Sequence, residues 1–100
     1  MMGAIRRLLG WDELDQLAEV LCENFTRQVT PTCLQKKELV ERAFSNVVGR
    51  AVGEKRKGKW KYGAVARLSN SFGWALVKRG YPQDWALSLS RSMAVVLAQK

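Results

Sequence analysis

The apolar residues of this chain recur every three or four positions through four successive segments, and strand-like apolar–polar alternation is weak throughout. Such spacing gathers apolar side chains on one face of a helix and offers no strand to pair. In the first segment Leu14, Leu17, Ala18, Leu21 and Phe25 share a face, behind an opening at Trp11 or Asp12. Ile5, Leu8 and Leu9 suggest a short helical turn before it. The second face is Val40, Ala43, Phe44, Val47, Val48 and Ala51, and the third is Val65, Leu68, Phe72, Ala75 and Leu76. The fourth is Trp85, Ala86, Leu89, Met93, Val96 and Leu97.

The breaks have their own chemistry. Thr30 is placed to cap a helix that starts at Pro31, where a missing N–H costs nothing. That second helix is expected to run to about Val52. Gly53-Glu54-Lys55-Arg56-Lys57-Gly58 then reads as a loop, with two glycines around four charges. A third helical region is expected from about Lys59–Tyr62 to Gly80, with Lys78 and Arg79 complementing the dipole of its last turn. Tyr81-Pro82 opens the fourth. The expected fold is all-α: a small compact bundle of about four helices, with a basic glycine-flanked loop between the second and third. One domain over residues 1–100 suits the length, which supports one modest core.

Composition narrows the chemistry. The chain has no histidine, which excludes Ser-His-Asp and Cys-His catalysis and any His-ligated zinc site. Cys22 and Cys33 are too few for a cysteine metal site; they are either two thiols in a reducing compartment or one disulfide. Asp12, Asp15, Glu19 and Glu23 form an acidic stripe on one helix rather than a pair facing across a cleft. That stripe is free to pair with the basic second half of the chain. Ser88, Ser90 and Ser92 lack a base, and Gly58 is followed by Lys59 and Trp60 rather than the Lys-Ser/Thr of a phosphate loop. No catalytic residue, metal site or cofactor is expected, and the protein is read as not an enzyme. No secretory signal is visible, and no apolar run approaches the roughly 20 residues of a membrane span. A soluble, cytoplasmic or otherwise intracellular protein without membrane contact is the expectation.

The net charge of +8 is unevenly distributed. Residues 1–49 carry six cations against seven acids, and residues 50–100 carry eleven cations against only Glu54 and Asp84. A localised field of this kind steers a polyanion. Its densest part holds Arg50, Lys55, Arg56, Lys57, Lys59 and Lys61, interleaved with Trp60 and Tyr62. Cations there suit phosphates, and an exposed Trp60 would stack on an unpaired base. The plainer alternative is a solvated loop whose Trp60 or Tyr62 anchors the next helix in the core.

Residues 65–79 resemble a helix-turn-helix, with Ala66 as the small packing residue, Asn70 at the turn and Leu76 as the inward residue of a recognition helix. The resemblance implies that Phe72, Gly73, Trp74, Lys78 and Arg79 lie on or near a DNA-facing side. Ser71 departs from it, standing where an apolar residue normally packs, as does Trp74 at a base-reading position. An uninterrupted amphipathic helix with Gly73 at a close helix crossing explains the same residues.

The leading functional expectation is therefore a nucleic-acid-binding regulatory protein, DNA or RNA undecided. Its surface would comprise Arg50, Lys55, Arg56, Lys57, Lys59, Trp60 and Lys61, with Arg67, Lys78 and Arg79 on the same side. A homodimer is expected from the apolar surface left over on the fourth helix. The alternative is a small adaptor or inhibitor, of the kind phages, viruses and plasmids encode, whose basic surface docks an acidic protein.

Overall fold

A computed structural model describes residues 11–58, 60 and 63–99. The short turn expected around Ile5, Leu8 and Leu9 lies outside the described residues. Four α-helices follow one another: α1 (Trp11–Gln28), α2 (Lys37–Lys57), α3 (Ala64–Lys78) and α4 (Gln83–Gln99). Each buries the stripe its spacing marks out. Leu14, Ala18, Leu21 and Phe25 of α1 meet Leu68, Phe72, Ala75 and Leu76 of α3, Ala43, Val47, Val48 and Ala51 of α2, and Ala86, Met93 and Leu97 of α4 in one core. α3 packs broadly on both α1 and α4, α2 packs on α1, and the α2–α4 contact is the slightest. On the outer side of α4, Val95 is an exposed large apolar residue.

Three boundaries differ from the periodicity. Pro31–Cys33 forms a short 3-10 turn, and α2 begins only at Lys37. Thr30 makes no side-chain capping bond; its hydroxyl donates to the Cys33 sulfur at 3.2 Å and lies 3.0 Å from the Thr32 hydroxyl. Those side chains satisfy Thr30 locally, so the tight turn persists instead of propagating as α-helix. α2 then continues through Gly53 to Lys57, beyond the expected end near Val52. Its last turn carries Lys55, Arg56 and Lys57, whose charges favour a helix C-terminus. The connection to α3 is therefore the stretch 58–63. α3 starts at Ala64, after Gly63 at φ +88°, a left-handed conformation that suits glycine.

Residues 64–78 are one continuous helix, so the helix-turn-helix is not formed. Asn70 lies within it, and no non-glycine residue among those described has positive φ. Gly73 instead marks a close crossing of α3 and α4. A Cβ there would sit 2.8 Å from the Ser90 Cβ. Ser90 is buried at the same crossing and donates to the Ser69 carbonyl at 2.5 Å. The helix ends as expected at Gly80, φ +98°. The Gly80 N–H bonds the Val77 carbonyl and the Tyr81 N–H bonds the Leu76 carbonyl, each at 3.1 Å, which is a Schellman closure.

The two kinds of helical glycine should respond oppositely to alanine. Gly49 has nothing within 4 Å of an added Cβ. Gly49→Ala should stabilise the fold by up to about 1 kcal/mol through helix propensity. Gly73→Ala should destabilise it by about 1–3 kcal/mol, because the rigid Ser90 Cβ must be displaced. Urea unfolding of both variants checks this; shifts of the same sign would refute the close-crossing account.

Candidate nucleic-acid interface

The acidic stripe of α1 flanks its apolar stripe, and α3 carries cations at matching positions. Packing α1 on α3 brings the two together. The Arg67 guanidinium grips Asp15 with two bonds, Nε to Oδ1 at 3.0 Å and Nη2 to Oδ2 at 2.7 Å. The Ser71 hydroxyl, one turn further along α3, donates to the same Asp15 Oδ1 at 2.8 Å. Glu19 meets Arg79 Nη2 at 3.1 Å and Lys78 Nζ at 3.6 Å. The hydrogen bonds from Arg67 hold the Asp15 carboxyl below its ordinary pKa of 3.8 against a smaller upward push from desolvation, with Ser71 adding to the lowering. Asp15 raises Arg67 in turn, and Glu19 raises Arg79. These pairs are partly exposed, so they add little stability; their larger effect is to set how α1 sits on α3.

The expected binding residues thus divide into two groups. Arg67 and Lys78 on α3 and Arg79 just past its end have their charges directed to α1 carboxylates. The other group gathers at the C-terminal end of α2. Arg50 and Arg56 are exposed, with no carboxylate partner among the described residues. Lys57 reaches Glu54 only at 3.9 Å. Lys55 is half-buried and donates to the Leu97 carbonyl at 2.7 Å, capping the last turn of α4. Trp60 is half-buried against the core, beside Gly58, where a Cβ would lie 3.4 Å from the indole Cδ1. Lys59, Lys61 and Tyr62 lie outside the described residues. Elsewhere Lys36, Lys37 and Arg42 share their turns with Glu38 and Glu41, and Arg91 stands on the outer face of α4.

No family model, curated protein or solved structure matches this chain.

Among the described residues no cluster of three or more Cys, Asp or Glu side chains is arranged to hold a metal, and no helix is long and apolar enough to cross a membrane. Cys22 and Cys33 are free thiols. Burial pushes the Cys22 thiol up to about 11, and the Thr30 hydroxyl lowers that of Cys33. A groove of about 450 Å³ runs between α1 and α3, lined by Gln16, Asn70, Ser71 and Trp74 together with Asp15, Glu19, Arg67 and Lys78. Periodicity alone missed it, because a groove exists only once two helices are packed side by side. The hint was Trp74, a large aromatic residue off the apolar stripe of its helix.

The Asp15 pair has a defined pH signature. Its carboxyl is more acidic in the folded state, so its stabilisation is present above the unfolded value and is lost as pH falls through the folded one. Asp15→Asn should lower stability by up to about 1 kcal/mol near neutral pH. The gap from wild type should close as pH drops below about 4. Urea midpoints across that range test it; a gap independent of pH would show that the charge contributes nothing.

Proposed function

We propose that this protein is a non-catalytic regulatory module that binds nucleic acid through the basic C-terminal end of α2 and the residues that follow it as far as Lys61. The observation that supports this reading is the unequal neutralisation of the cations. The carboxylates of α1 occupy Arg67, Lys78 and Arg79, whereas Arg50 and Arg56 face solvent with no carboxylate beside them among the described residues. From Arg50 to Lys61 the chain holds six cations against Glu54 alone. The negative end of the α2 dipole favours cations in its final turn, and their field extends into solvent. Guanidinium groups offer paired donors to phosphate oxygens, and the lysines add mobile point charges. In this reading Arg67 and Arg79 hold the scaffold together, and most of the phosphate contacts fall to Arg50, Arg56, Lys57, Lys59 and Lys61.

Binding to duplex DNA, duplex RNA and single strands across a salt series tests the proposal. With about five phosphates neutralised, log affinity should fall against log salt with a slope of about −4 to −5 on B-DNA. The double variant Arg50→Glu/Arg56→Glu should weaken binding to all sequences alike and flatten that slope by about 2. No binding at about 50 mM salt, or an affinity indifferent to salt, would sink the reading. A stoichiometric protein complex that survives nuclease would put an acidic protein surface in the place of nucleic acid.

A further inference from the structure

The α1–α3 groove has the makings of a second site. Its volume of about 450 Å³ lies within the span of ligand clefts, roughly 300–1,000 Å³. Its α3 rim is a ridge set by helical spacing: Asn70, Trp74 and Lys78 follow at four-residue intervals, all exposed. Gln16 lines the groove from α1, and the small Ser71 and Ala75 leave room between the helices. Trp74 is 43% exposed, whereas Trp60 and Trp85 pack half-buried against the core. The fold does not require an outward indole, since Leu68, Phe72, Ala75 and Leu76 complete the inner face of α3.

The lining selects its ligand by chemistry. An exposed indole face favours a flat ring. The Asn70 and Gln16 amides each offer donors and an acceptor, and neither makes a side-chain hydrogen bond among the described residues. In the lining Arg67 and Lys78 balance Asp15 and Glu19; Arg79, outside the lining, also bonds Glu19, which leaves one cation to spare for an anion. Lys78 is the looser partner of Glu19, at 3.6 Å against 3.1 Å for Arg79, so it can turn to a ligand while Glu19 stays neutralised. A flat ring with a hydrogen-bonding edge and a negative charge is a nucleotide. Its base must be unpaired, because a duplex hides both faces of each base in the stack.

We propose that this groove binds one unpaired nucleotide, with its base stacked on Trp74, the base edge met by Asn70 and Gln16, and the phosphate held by Lys78. The inference rests on the nucleic-acid reading for its source, a single strand threaded past the basic end of α2; a free nucleotide has the same chemistry. The test follows the Trp74 indole N–H resonance, identified by its loss in Trp74→Ala, while adding an adenine strand of about 15 nucleotides, the matching duplex, or adenosine monophosphate. The strand should move the resonance at lower concentration than the mononucleotide, and the duplex should leave it in place. Trp74→Ala should weaken strand binding about 5- to 150-fold, with duplex binding changed less than about twofold. Trp74→Phe should keep most of the affinity. If Trp74→Ala binds the strand like wild type while Arg50→Glu/Arg56→Glu does not, the groove site is overturned and the basic-end reading stands. If the mononucleotide moves the resonance and no strand or duplex binds, the groove site stands and the basic-end reading falls. If nothing moves the resonance and nothing binds, both fall.

Discussion

Phe25 lies fully buried where α1 meets the end of α3 and the start of α4. Its ring is 6.0 Å from Phe72 and edge-on to it, 6.3 Å from Tyr81 and 6.1 Å from Trp85. Tyr81 and Trp85 in turn stack at 5.7 Å. Aromatic pairs of this kind add about 0.5–1.5 kcal/mol each beyond the area they bury. The Tyr81 hydroxyl donates to the Val29 carbonyl, just past the end of α1. Burial raises the Tyr81 pKa, which keeps that hydroxyl a donor. The cluster therefore fixes α1 against the α3–α4 turn, and the position of every charge on α1 and α3 depends on it.

With α1 held in that place, Asp15 and Glu19 of its acidic stripe face α3. Asp15 and Glu19 take up three of the cations in the strongly basic half of the chain. Net charge by itself suggested one basic surface, but the packed bundle separates it into a neutralised side and a basic end. The pairs add little stability, being partly exposed. What they change is the field: a polyanion approaching the molecule meets its excess charge at the C-terminal end of α2, beside the capped end of α4. The packing of α1 on α3 also leaves the groove beside Trp74, so one helix contact shapes both features.

The elements most legible in the sequence were those whose signals are local. Helix faces followed from spacing alone, and Gly80 was readable as a helix terminator because only its own backbone has to turn. The acidic stripe and its option of pairing with basic residues were also visible, although which cations would respond was not. The start of α2 was misread because Thr30 spends its hydroxyl on neighbouring side chains and not on the helix backbone. Its end was misread because Gly53 argues for a break locally, whereas Lys55 is tied to the Leu97 carbonyl 42 residues away. Such a tie extends a helix past the point where propensity would stop it. Of the two readings of residues 65–79, the helix-turn-helix is not formed and the uninterrupted helix with Gly73 at a close crossing is; only the identity of the crossing partner, α4, lies beyond any fifteen-residue window.

The sequence by itself determined that the chain is helical, that its helices each have one buried face, that histidine chemistry is excluded and that the positive charge belongs to the second half. These follow from composition and from periods of three to four residues, which involve only neighbours along the chain. Tertiary structure decided which cations are neutralised, why one glycine cannot carry a side chain, and where an indole is left facing a groove. Those depend on residues far apart in sequence that meet only when α1, α3 and α4 cross, and no local pattern sets that crossing.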